Sequence, residues 1–428
     1  MMPSKTTSIG LGLILLIPFP SSAQESQIGF EVSSTFTAGA TFSDRFKNTI
    51  PLWLKEIDTP VRSNRQLFAP GGRLLVSPTL KLGRHWYFHA TWQGHTTPFF
   101  PYEAYHVNAD GVRGRLIQGF AAYTTGGEQK SVTIKAGKLP TVFGHLTTRY
   151  DDRDNPLIDS PLAYGSYLLL RPDLIPCSNY DFEHQQEVHP NVAAFHCKNK
   201  ESYAYGILPV NRYGLFAVEA DFTWQRLDAR LQLANSSPSN PQKISSSSQA
   251  AQFAGGAGVT IIPGLRAGFS LFRGPWLQSS TQNQLDDGLR WRNFEATGVG
   301  LDIQWAYSRL AVSGEWQRLS FGYPNFSQIP TVQYGYVEAK WTIAPRWFTA
   351  TRLGYQRHGM VRDRFGPGER HYLPNRAAYE FSVGYRPRQG QLLKSAYTFM
   401  PSHPRRGPSD DVFGIQWIVD LPRFSLTR

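Results

Sequence analysis

The chain has 428 residues, 14% of them aromatic, with 38 glycines and a formal charge of +12, yet its mean hydropathy is only −0.36. Beyond the N-terminus no apolar run approaches the ~20 residues that a spanning helix needs, which excludes a bundle of membrane helices. No segment carries a convincing 3.6-residue apolar period, and no basic helix is present, so the positive charge does not read as a nucleic-acid surface.

Residues 1–23 read as an export signal. Lys5 supplies the positive start, IGLGLILLIPF (9–19) the apolar run, and Ser21-Ser22-Ala23 the small residues before a cleavage site at Gln24. A signal-anchor helix is the alternative, but the run is too short to span. The mature chain, 24–428, then reads as one all-β unit: a transmembrane antiparallel barrel.

In chain order, Gly29 to Phe42 is the first strand. Hairpins follow: 74–82 with 86–96 across Gly83 to His85, 115–125 with 132–139 across Gly126-Gly127, and 213–224 with 226–233 across Gln225. Next come 252–262 with 265–276 across Pro263-Gly264, and 294–306 with 309–321 across Tyr307-Ser308. The last hairpins are 331–343 with 346–357 across Ala344-Pro345, and 377–386 with 391–400 across Pro387 to Gly390. Val412 to Leu421 closes the set, giving about sixteen strands, an even count that puts both termini on the periplasmic side. Gly and Pro at these joints suit tight turns and end strand pairing.

Alternation within the strands decides the environment. Phe413, Ile415, Trp417, Val419 and Leu421 share one face, and Gly414, Gln416 and Asp420 the other. Ala377, Tyr379, Phe381, Val383 and Tyr385 likewise oppose Ala378, Glu380, Ser382, Gly384 and Arg386. With a period of 2, each face meets one environment throughout. A soluble sandwich also alternates, but its strands average about five or six residues, whereas about ten tilted residues cross the hydrocarbon. Trp86, Trp92, Trp224, Trp276, Trp305, Trp316, Trp341 and Trp347 lie near strand ends, where interfacial girdles place amphipathic rings. Plain β-propensity is the competing explanation.

The face opposite the lipid stripe supplies the pore-lining candidates. The basic set is Lys81, Lys135, Arg230, Arg266, Lys340, Arg352 and Arg386; the acidic set is Glu219, Asp221, Asp228, Asp302, Glu315, Glu338 and Glu380. The sets balance, so net charge alone sets no ion preference, and cross-strand pairing is the plainer expectation for any one of them.

Short connections would face the periplasm and long ones the outside. Cys177 and Cys197 both fall in the longest connection, and in an oxidising compartment a disulfide there would close about twenty residues, stabilising by ~3 kcal/mol. Asp181, Glu183, His184, Glu187, His189 and His196 gather donors, but at no metal-signature spacing. Asp151-Asp152-Arg153-Asp154 lacks the calcium-loop glycine and reads as a solvated acidic turn. We assign no metal and no cofactor. Nothing resembles G-x-S-x-G or a P-loop, so no enzyme is expected, although a catalytic group assembled from distant strands stays open.

About sixteen strands, short turns on one side and an oversized third connection resemble the general bacterial porins. Lys135-Ala-Gly-Lys-Leu-Pro-Thr-Val-Phe-Gly144, leaving a strand for that connection, resembles a porin motif. The resemblance implies that 140–212 folds inward and narrows a water-filled channel for small hydrophilic solutes. It also implies an outer-membrane location among lipid and lipopolysaccharide, and a homotrimer. The chain departs from the family in ending Phe424-Ser-Leu-Thr-Arg428 rather than on an aromatic residue. The alternative is a plugged barrel acting as a surface binding or structural protein.

Overall fold

The computed structural model describes residues 28–43, 68–97, 111–127, 129–149, 151–165, 214–235, 251–324, 326–363, 369–371, 375–401 and 411–427, with positions 168, 170, 172, 175, 207 and 210. The strands in chain order are β1 (Ile28–Ser43), β2 (Phe68–Leu82), β3 (Trp86–Thr97), β4 (Gly111–Gly126), β5 (Lys130–Leu139) and β6 (Leu215–Trp224). Then come β7 (Leu227–Ala234), β8 (Gln252–Ile262), β9 (Leu265–Pro275), β10 (Glu295–Tyr307), β11 (Leu310–Phe321), β12 (Phe326–Gln328) and β13 (Thr331–Ala344). The last are β14 (Trp347–His358), β15 (Met360–Asp363), β16 (Glu369–His371), β17 (Arg376–Tyr385), β18 (Gln391–Phe399) and β19 (Val412–Thr427).

All but β12, β15 and β16 close into one barrel of sixteen antiparallel strands, each next to its neighbour in sequence. The other three form a small separate sheet in connections expected to be irregular. Closure joins β1 to β19 from Gly29↔Thr427 to Ser43↔Val412, with a bulge between Val32 and Ser34. The last strand therefore runs past Leu421, its expected end, to Thr427. Strand β2 likewise begins at Phe68, ahead of the expected start at Leu74, and so brings Arg73 into the wall.

The outer wall is apolar. Phe413, Ile415, Trp417, Tyr379, Phe381 and Leu353 are exposed on it, although each is large and hydrophobic. In water such a belt would be an aggregation surface; in lipid it is the solvated face. Register marks its edge: Trp316↔Gly335↔Tyr355 is followed two pairs along, on the same face, by Arg318↔Gln333↔Arg357. Among the expected girdle residues, Trp86, Trp92, Trp224, Trp305, Trp341 and Trp347 are exposed, but Trp276 is not. It is 1% exposed, and its Nε1 donates to the Gly322 carbonyl at 2.8 Å.

Trp276 belongs instead to a core inside the barrel. Phe272, Leu319, Phe321, Tyr334 and Tyr336 face inward from β9, β11 and β13 and pack with Val142, Phe143, Leu146 and Tyr164. Each such side chain removed from water contributes roughly 1.5–3 kcal/mol. Part of the inner wall is thus a packing surface for the connection that follows β5.

Candidate functional site

That connection leaves β5 at Leu139 and docks along the inner wall. Gln232 Nε2 donates to the Pro140 carbonyl at 2.8 Å, and Gly144 N donates to Ser270 Oγ at 3.1 Å. Gly144 has φ +84, and a Cβ there would run into the Tyr164 hydroxyl and Glu315. Only glycine suits both demands. Glu315 collects the chain beyond it, accepting from His145 N at 3.1 Å, Tyr164 Oη at 2.7 Å and Gln317 Nε2 at 2.6 Å. Burial and the adjacent Glu315 push the Tyr164 phenol well above its usual range.

His145 sits between Gln304, 3.0 Å from its Nδ1, and Arg149, which donates to its Nε2 at 3.0 Å. Burial, then the Arg149 charge, lowers its pKa to about 4, so the ring is neutral at pH 7. Arg149 also pairs with Glu338 at 3.2 Å.

The segment next reaches the opposite wall and walks back. Asp152 pairs with Arg73 of β2 at 2.5 Å; Asp151 accepts from Thr35 of β1 at 3.3 Å; Arg153 donates to Asp420 of β19 at 2.8 Å. Lys394 of β18, 1% exposed, donates to the carbonyls of Asp152 at 2.8 Å, Asn155 at 2.9 Å and Leu157 at 3.1 Å. Ser382 of β17 donates to the Pro156 carbonyl at 2.8 Å. Arg352 of β14 joins Glu338 at 2.7 Å and Glu380 at 2.9 Å and donates to the Asp159 carbonyl at 2.9 Å. Glu380 in turn accepts from Ile158 N and Asp159 N at 3.2 and 3.0 Å.

The Asp151–Asp154 turn therefore differs from the expected solvated one. Asp151 and Asp152 are 8% and 6% exposed, and their oxygens serve the barrel's own donors. Asp154 is exposed at its edge, with its carboxyl raised by partial burial and by Asp151.

The expected pore-lining residues separate into groups. Lys135 bridges Glu219 at 2.9 Å and Asp221 at 2.5 Å. Arg266 holds Asp228 at 2.6 Å and Asp302 at 2.8 Å. Glu315, Glu338, Arg352 and Glu380 anchor the docked segment and are nearly buried by it. Lys81 and Arg230 are exposed, and Lys340 and Arg386 partly so; among the described residues these cations enter no ion pair. A cavity of about 220 Å³ remains between the segment and β7–β10, lined by His145, Asp228, Arg230, Arg266, Asp302 and Gln304.

Arg73, His145, Arg149, Tyr164, Gln317 and Lys394 were not among the residues expected from sequence. Strand parity already put Lys394 on the inward face, but apolar neighbours Leu392 and Ala396 on that face hid it. Cys177 and Cys197, and the Asp181–His196 donor group, lie outside the described residues. Among the described residues no group of His, Cys, Asp and Glu is placed to hold a metal.

No family model matches the chain, and no curated protein sequence matches it. Solved structures do. Salmonella typhi OmpF, in complex with daunomycin, aligns over 92% of this chain and 97% of its own at TM-score 0.53 and 9% identity. The fold is a porin barrel. The outer-membrane channel DcaP of Acinetobacter baumannii aligns over 92% and 97% at TM-score 0.51 and 8% identity. The anion-selective porin of Comamonas acidovorans aligns over 93% and 100% at TM-score 0.50 and 10% identity. At such identities the likeness shows the porin barrel alone, so function must be argued from this chain's own interior.

Proposed function

We propose that the protein is an outer-membrane channel for passive diffusion of small hydrophilic solutes, narrowed by the segment after β5. The observation that carries this reading is the docking of residues 140–149 and 151–165 on inward-facing side chains from β7 round to β2. A loop tied by charge-assisted bonds inside a barrel with a lipid-facing exterior sets the width of an aqueous path. Selectivity for size then follows from the loop, and no energy source or catalytic step is required. Outer-membrane lipid and lipopolysaccharide surround the barrel in this reading, and the homotrimer implied by the resemblance belongs to it.

The test is swelling of liposomes that contain the purified chain, using neutral sugars of increasing size. Entry that falls steeply with solute size supports the channel. Vesicles as tight as protein-free ones would contradict it.

The internal apolar core gives the plugged-barrel reading its own support, since Phe143, Leu146 and Tyr164 fill part of the bore with packed side chains. In that case shortening 140–212 would create permeability that the full chain lacks.

A further inference from the structure

Strand β14 enters the wall from its short periplasmic turn, and its second residue, Phe348, points inward and is 1% exposed. Phe348 stands opposite Gly384 of β17, where any Cβ would collide with the ring. Leu392 and Ile418 pack against it, completing a small apolar floor on the lumen side of β14, β18 and β19.

Two cations share this ring. Lys340 Nζ lies 4.8 Å from its centroid, and Arg386 Cζ lies 5.2 Å from it. A ring face attracts a cation without neutralising it, so the ring itself supplies no counter-charge. The inward carboxylates of these same strands are already engaged: Glu338 by Arg149 and Arg352, Glu380 by Arg352, and Asp420 by Arg153. Two like charges on one ring, unpaired among the described residues and at the edge of an aqueous lumen, match a bound oxyanion.

We propose that Lys340 and Arg386, seated on Phe348, form a binding subsite for oxyanions at the periplasmic end of the lumen, taking solutes that carry a phosphate or carboxylate group. Arg386 offers a planar fork and Lys340 a point charge to the oxygens of a phosphate or carboxylate. Phe348 and Gly384 position the cations.

The inference rests on the channel reading for its role in transport, but the site is testable without it. Inorganic pyrophosphate is added to either side of the full chain in planar bilayers, and its binding to the detergent-solubilised chain is measured by calorimetry. Block and binding should both weaken at least about tenfold in Lys340→Gln/Arg386→Gln. They should be retained in Lys340→Arg/Arg386→Lys, which keeps the charges, and in Arg357→Gln, on the lipid face. Equal pyrophosphate affinity in wild type and the double Gln variant overturns the subsite, whether or not current flows. A chain that binds pyrophosphate at this site but carries no current keeps the subsite and overturns the channel.

Discussion

The ammonium of Lys394 donates to the carbonyl of Leu157 at 3.1 Å, joining residues 237 positions apart. With the carbonyls of Asp152 and Asn155 it completes a three-oxygen cage, so one strand side chain fixes the return path of the loop. Lys394→Met keeps most of the volume and removes all three bonds, leaving buried carbonyls unsatisfied. We expect a loss of roughly 3 kcal/mol, seen as a lower urea midpoint for the barrel refolded in lipid vesicles.

Arg352 stands between Glu338 and Glu380, all three 4–5% exposed. Arg352→Met leaves the buried Glu380 without a cation and Glu338 with Arg149 alone, and should destabilise by roughly 3–5 kcal/mol. Adding Glu338→Gln and Glu380→Gln should restore a large part of that loss. Urea unfolding of the single and triple variants measures both.

Acid should loosen the loop through His145. Its folded pKa of about 4 lies below the ~6.5 of an unperturbed imidazole. The undocked state therefore binds the extra proton first, and the stabilisation is whole above pH ~6.5 and declines as pH falls toward 4. Asp154, whose carboxyl is raised by burial and Asp151, acts with the opposite sign in the acid range. Protease cleavage within 140–165 should accelerate from pH 7 to 4.5, and His145→Asn should flatten that profile. The protease must itself be corrected for pH with an unfolded substrate.

Gly144→Ala should undo docking at its start. The substitution combines a left-handed backbone with a collision at the Tyr164 hydroxyl. We expect an intact barrel by circular dichroism, with 140–165 newly open to protease.

These experiments bear on the part of the molecule that was hardest to read. The lipid face was legible because every second residue of Val412–Leu421 or Ala377–Tyr385 meets one uniform solvent, and strand length separated a membrane wall from a soluble sheet. The interior has no such uniformity. Inward Phe272, Phe321 and Tyr334 are as apolar as the outward set, so alternation fades where the loop packs, and Trp276 resembled a girdle residue. Arg73 fell just ahead of the expected strand start at Leu74. The loop partners of Lys394 and Glu315 lie more than a hundred residues away, and no local pattern joins them. The carboxylates and bases of Lys135–Glu219 and Arg266–Asp228 were found because parity alone places them.

The most direct test of the account is single-channel current through the purified full chain and through Lys394→Met, side by side in planar bilayers. A constricting loop inside an open barrel predicts discrete steps for the wild type and larger, noisier steps for the variant. Silence from the wild type beside conduction by the variant, or identical steps from both, would contradict it.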